Sequence, residues 1–156
     1  MVFIYMRLNL GCGAYPESDS INHDRFFHSL YIDVAWDLNI LPWPWEDEQF
    51  SGIIAKAVLE HLDHNLVVSV NECWRILEPG GVLYMKLPSW NSEVSYQDPT
   101  HRWFYSPRVF EYFDPDTPLG KKYFFYTPYK WKLQSLGNYN SGKTSIHGSL
   151  QKVIND

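Results

Sequence analysis

The residues of this 156-residue chain that could do chemistry fall into two groups. The first is a glycine turn followed by two aspartates. Leu8-Asn-Leu-Gly-Cys-Gly13 is a short apolar run that breaks at Gly11 and Gly13, where the missing Cβ lets backbone approach a ligand. Asp24 ends the strand-like Ser20–Asp24, and Asp37 falls near the end of a second such run, Tyr31 to Leu38. A carboxylate at Asp24 could accept both hydroxyl protons of a ribose, and one at Asp37 could accept from an adenine amine. Aspartates in these positions also serve as turn formers and helix caps. A dinucleotide fingerprint needs a third glycine where this chain has Pro16, which speaks against a nicotinamide or flavin cofactor.

The second group is basic. His61 and His101 are the candidate general bases, able to take a proton from a hydroxyl or amine acceptor. His101 lies in Asp98-Pro-Thr-His-Arg-Trp-Phe104, whose acid, base, cation and aromatic content reads as a substrate loop. His61 and His64 have an H-x-x-H spacing, but no further His, Cys or carboxylate set completes a zinc pattern, so no metal is expected. The Asn/Asp-Pro-Pro-Tyr motif of amino-methylating nucleic-acid enzymes is absent; Asp98-Pro99-Thr100 only echoes it.

These groups need elements to hold them. Arg7–Leu10, Ser20–Asp24, Tyr31–Leu38, Phe50–Val58 and Val82–Leu87 read as strands. Leu41-Pro-Trp-Pro-Trp45 is held extended by its prolines. A helix is expected from Asn65 to Leu77, with Leu66, Val70, Cys73, Trp74 and Leu77 as its buried stripe. Pro79-Gly80-Gly81 is its stop signal. Residues 89–105 lack a period and read as a loop. Ser106-Pro107 starts a short helix, with the serine as its cap. Lys130–Leu136 and Ser145–Val153 form a closing antiparallel hairpin through Gly137–Gly142. Strands alternating with helices predict an α/β fold of the Rossmann-like kind, with the ligand crevice outside the strands' carboxyl ends.

Composition fits a single domain over 1–156, at 45% hydrophobic and 20% charged. No run approaches the ~20 apolar residues needed to span a bilayer. Met1–Met6 is too short for a signal-peptide core, and Cys12 and Cys73 make no disulfide framework, so a reduced cytoplasmic protein is expected. Net charge is −5, divided as −8 over residues 1–79 and +3 over 80–156. That acidity argues against non-specific nucleic-acid binding. A nucleic-acid or protein contact face remains open in Arg102, Arg108, Lys121, Lys122 and their aromatic neighbours.

Five motifs in order carry a resemblance to a known family: Leu8-Asn-Leu-Gly-Cys-Gly13, Ile21-Asn-His-Asp24, Asp37-Leu38 with Leu41-Pro42, Val58-Leu-Glu-His-Leu62, and Arg75-Ile-Leu-Glu-Pro-Gly-Gly81. The chain resembles class I S-adenosylmethionine-dependent methyltransferases over residues 7 to about 88. The resemblance implies a mostly parallel seven-stranded sheet with an antiparallel C-terminal hairpin, and S-adenosyl-L-methionine as cofactor. It implies that Leu10, Gly11, Cys12 and Gly13 pass under the methionine part, that Asp24 holds the ribose, and that Asp37 and Leu38 flank the adenine. Lys56 and Ala57 would border the methionine amine and the methyl group, with His61 facing the reaction crevice.

Only ten residues separate Gly13 from Asp24, and twelve separate Asp24 from Asp37. A parallel crossover is near its minimum at that length, so some helices are expected to be short or missing and one sheet face thinly covered, which suggests a homodimer or an unusually open site. Asp33 becomes a rival for the ribose. The expected reaction is methyl transfer to an O or N acceptor, a sugar or other small hydroxylated metabolite. The rival expectation is a non-catalytic cofactor-binding or scaffold module on a degenerate methyltransferase fold.

Overall fold

The chain builds one sheet whose centre is buried on both faces. The computed structural model describes residues 6–137 and 144–154. Strands β1 (Arg7–Leu10), β2 (Ser20–Asp24), β3 (Val34–Ala35), β4 (Phe50–Lys56) and β5 (Leu77–Pro88) run parallel. Strand β7 (Ser145–Lys152) lies antiparallel to β5, and β6 (Trp131–Leu136) antiparallel to β7. The order is β3-β2-β1-β4-β5-β7-β6. In β1, Leu8, Asn9 and Leu10 are buried in succession rather than alternately, as a two-faced parallel strand requires. Leu8, Leu10, Phe50, Ile53, Leu83 and Met85 form the centre of the core.

Helix α1 (Leu66–Ile76) is the longest helix among the described residues. Asn65 caps it, its side chain accepting from the N–H groups of Val67 and Val68 at 3.0 and 3.4 Å. Leu66, Ser69, Val70, Cys73 and Ile76 are its buried face. Trp74 stands at the edge of that stripe, stacked on Tyr129 at 4.4 Å with the Lys152 ammonium 3.9 Å from its ring.

The expected helices are missing from the first two connections. Neither 11–19 nor 25–33 contains a helix, and side chains do the work that a helix ladder would have done. The buried Asn9 amide donates to Tyr15 O and to Asn22 Oδ1, and Asn22 binds Glu17 through both its carbonyl and its amide. Asp33 accepts from Asn22 N at 2.8 Å and so pins the second connection. Buried backbone groups are thereby satisfied without a regular element.

Several expectations need correction. The strand over Tyr31–Leu38 contracts to Val34–Ala35, because Asp37 turns the chain by accepting from Asn39 N at 3.0 Å. Leu41–Trp45 is a run of bends that sinks Trp43 and Trp45 into the core. The helix passes at Leu77 directly into β5, which contains Pro79-Gly80-Gly81 in its irregular first half. The 89–105 loop holds a five-residue helix, α2 (Glu93–Gln97), capped by Ser92. Pro107–Phe113 is a 3-10 helix, and Ser106 makes no side-chain capping bond to it. A third short helix, α3 (Pro118–Lys122), was not anticipated. The tip of the closing hairpin, 138–143, lies outside the described residues. No helix among those described is long and apolar enough to cross a membrane.

Candidate active site

Three strand ends converge where β1 gives way to its glycine turn. Gly11 and Gly13 both take left-handed backbone, with φ of 57° and 55°, a conformation that costs an L side chain about 1–2 kcal/mol. Their surroundings differ. A Cβ on Gly11 would lie 2.5 Å from Val58 Cγ2, whereas one on Gly13 would meet nothing within 4 Å. Gly11 is thus required by packing, and Gly13 faces open space at the crevice.

His23 and Asp24, at the end of β2, fasten this turn. Gly11 N donates to His23 Nδ1 at 3.2 Å, and His23 Nε2 reaches Trp36 O at 2.9 Å. A carbonyl only accepts, so Nε2 carries the proton and the ring is neutral. Burial lowers the His23 pKa in the same direction. Gly13 N donates to Asp24 Oδ2 at 2.8 Å, and Arg25 N to Asp24 Oδ1 at 2.6 Å. Partial burial opposes the charged carboxylate, but these bonds and nearby His28 outweigh it and hold the group below its ordinary range.

A cavity of about 310 Å³ opens beside these groups, lined by Gly11, Asp24, Asp37, Leu38, Ala57 and His61 among others. A second, of about 760 Å³, includes Gly11, Cys12, Gly13, Lys56 and Ala57. They adjoin at Gly11 and Ala57, so a trough crosses the carboxyl ends of β1 and β4. Ala57 itself has φ of 53°, backbone strain of the kind found at ligand sites. Asp37 lines the first cavity and is paired with Arg25 at 2.8 Å. Lys56 is paired with Glu17 at 2.9 Å at the other end. Leu10 is in the core and lines neither cavity. The Cys12 thiol is buried, and burial raises its pKa. Asp33 is engaged with Asn22 and lines neither cavity.

The histidines come together although forty positions separate them. His61 ends the 3-10 turn Leu59–His61, and its ring centroid is 4.7 Å from that of His101. The 98–103 loop is clamped onto this turn, Arg102 N donating to Glu60 O and Trp103 Nε1 to Leu62 O, both at 2.8 Å. His61 Nδ1 is 2.8 Å from Thr100 Oγ1, and His101 Nδ1 is 2.8 Å from Ser95 O. His61 is 33% exposed and His101 only 7%. Both line a polar cavity of about 780 Å³ that adjoins the trough at Arg25, Asn39 and His61. His64 points elsewhere, its Nε2 3.1 Å from Leu38 O.

Sequence reasoning missed Glu60. It is completely buried beside both imidazoles, neither carboxylate oxygen has a hydrogen-bond partner among the described residues, and burial pushes its pKa up to about 7. A charged residue one place before His61, inside an apolar Val-Leu-x-x-Leu frame, was the available signal. Asn9, Asn22 and His23 were missed for a similar reason, being polar residues inside strand-like runs.

A family model described as a methyltransferase domain matches residues 24–85. No curated protein matches the chain. Solved structures resemble it over nearly its whole length. A SAM-dependent methyltransferase from Archaeoglobus fulgidus superposes with a TM-score of 0.64 at 16% identity, covering 95% of this chain and 86% of that one. A SAM-dependent methyltransferase from Aquifex aeolicus gives 0.60 at 12%, over 96% and 83%. The cyclase SpnF gives 0.63 at 11%, over 97% and 76%. At such identities the likeness speaks for the fold, and one fold hosts several chemistries. Sheet order, glycine turn, Asp24 and a methyltransferase-domain match running from the end of β2 into β5 agree, and the chain has the Rossmann-like fold of the class I S-adenosylmethionine-dependent methyltransferases.

Proposed function

We propose that this protein transfers a methyl group to an oxygen or nitrogen of a small hydroxylated acceptor, such as a sugar or similar metabolite. The single observation that carries the reading is the junction at His61 of an elongated trough with a separate polar cavity. One suits a cofactor and the other a small acceptor, since pockets for small molecules run roughly 300–1,000 Å³.

The residues fit the cofactor. Gly13 leaves open space where a Cβ would intrude, and the Asp24 carboxylate, already turned towards backbone donors, is ionised at neutral pH. Asp24 would accept from the ribose hydroxyls. Asp37 and the Leu38 backbone would read the adenine edge, with Arg25 swinging off Asp37. Gly11, Gly13, Lys56 and Ala57 would border the methionine part. The cofactor supplies, when bound, a methyl group on sulfonium that is already activated for attack. What remains for the protein is to align an acceptor lone pair and manage its proton. His61, the more exposed imidazole, is the group able to meet an acceptor directly. His101 supports it from behind.

The basic residues favour a small acceptor over a nucleic acid. Arg102 is paired with Asp63 at 2.9 Å and Arg108 with Glu111 at 3.3 Å, so part of that face is neutralised. The test is incubation with methyl-labelled S-adenosylmethionine and a panel of sugars, amines and short RNAs, read by mass. A labelled small hydroxylated product is expected. Cofactor binding with no labelled product on any acceptor would favour the scaffold reading instead.

A further inference from the structure

We infer that Glu60, His61 and His101 form a binding site for a divalent transition-metal cation of the zinc type. Proton bookkeeping leads there. Ser95 O can only accept, so His101 Nδ1 carries a proton and donates it. Thr100 Oγ1 gives its own proton to Asp98 Oδ1 at 2.7 Å, so it accepts from His61 Nδ1. Each neutral imidazole then turns an Nε2 lone pair inward. Both Nε2 atoms lie 3.8 Å from the same atom, Glu60 Oε1.

With Glu60 ionised and both imidazoles neutral, three electron-pair donors thus face one another with no N–H or O–H between them. An unpaired buried carboxylate is costly, and Glu60 is fully buried with neither oxygen hydrogen-bonded among the described residues. A cation at the centre turns that mutual repulsion into ligation. The spacing suits it: the three ligand atoms lie within 4.8 Å of one another. Metal–ligand distances of about 2.0–2.2 Å at tetrahedral angles need separations of roughly 3.3–3.6 Å. The two 3.8 Å Nε2–Oε1 separations need a closure of a few tenths of an ångström, and a pair at the 4.8 Å limit would need ~1.2–1.5 Å.

Two features separate this from a chance cluster. Each imidazole has its tautomer fixed by an acceptor behind it, the outer-shell arrangement that ligating histidines use. The backbone clamp between 98–103 and 59–63 brings one ligand from the loop against two from the turn. Imidazole with carboxylate selects a zinc-type ion over calcium or magnesium. His61 and His101 both line the polar cavity, from which an ion held between them would be reached. Glu60, His61 and His101 would hold the ion, and the ion, in place of a direct His61 contact, would supply the polarisation that makes an acceptor hydroxyl's proton easier to lose. That consequence rests on the methyl-transfer reading; cation binding itself does not.

The test titrates metal-stripped protein with Co²⁺ alone, read by its visible absorption, and with Zn²⁺ alone, by calorimetry. One ion per chain is expected. Affinity should fall by at least about tenfold in Glu60→Gln and in His61→Asn, while His64→Gln binds as the parent does. Far-UV circular dichroism checks the fold, and the partly exposed His61→Asn keeps the test decisive if Glu60→Gln fails to fold. Folded parent protein that takes up neither ion overturns the inference, as does uptake that survives in His61→Asn. S-adenosylhomocysteine binding, measured on the same samples, separates the two ideas. Its survival without metal uptake sinks only the metal site, and its loss with metal uptake intact sinks only the cofactor reading.

Discussion

At the scale of single residues, His23 and Gly11 carry consequences that a strand pattern does not announce. His23 is held neutral by accepting from Gly11 and donating to Trp36. Its folded pKa lies below the ordinary value of about 6.5, so on acidification the unfolded chain takes the proton first. The stability it lends is present above pH 6.5 and is lost as pH falls through that value towards the folded pKa. Urea midpoints measured from pH 7.5 to 5.5 should therefore drop, and drop less steeply in His23→Gln. Gly11→Ala adds a left-handed alanine and a collision with Val58, a cost of about 2 kcal/mol or more. Adding Val58→Gly, which removes both the Cγ2 and the Cβ that the new methyl would meet, should recover part of that loss, which chemical denaturation of both variants would reveal. The glycines and Asp24 were legible in the sequence because a strand that stops at glycine, and another that stops at aspartate, break their own patterns. Glu60 was not, since its meaning depends on His101, which only the folded chain brings near.

Elements were legible where periodicity decided them and illegible where side chains replaced a ladder. Helix α1, β1, β2 and the two hairpin strands follow the hydrophobic pattern closely. The region 36–48 does not, because Arg75 organises it from a distance. Arg75 donates to the carbonyls of Trp43 and Trp45 and to the carboxylates of Glu72 and Asp47. Glu72 also accepts from Trp43 N at 2.8 Å. Burial opposes the Glu72 charge, but Arg75 and that N–H prevail and lower its pKa. The clamp ties α1 to the bends that follow Asp37 and Leu38, so it supports the end of the trough that those two residues line. Arg75→Met should cost about 3 kcal/mol, the usual result of stripping a largely buried pair of one partner. Loss of stability by urea unfolding, together with weaker cofactor binding, is the expected signature.

For the whole molecule, the order β3-β2-β1-β4-β5-β7-β6 places the reversal of strand order between β1 and β4, where ligands bind in open α/β sheets. The fold class was readable from the alternation of elements, and the crossing trough was not, because it depends on how Gly11, Val58 and Ala57 meet. The missing helices leave the glycine turn and Asp24 in place, since Asn9, Asn22 and Asp33 hold both connections. The central claim is that this trough binds the cofactor through Asp24. Calorimetry with S-adenosylhomocysteine on the parent and Asp24→Ala tests it most directly, with NADH as the competing ligand. Losing hydrogen bonds to a charged group costs about 1.5–3 kcal/mol, so affinity should fall roughly 10- to 100-fold, with NADH binding neither protein. Equal affinity in parent and variant, or no binding to folded parent, would contradict the account.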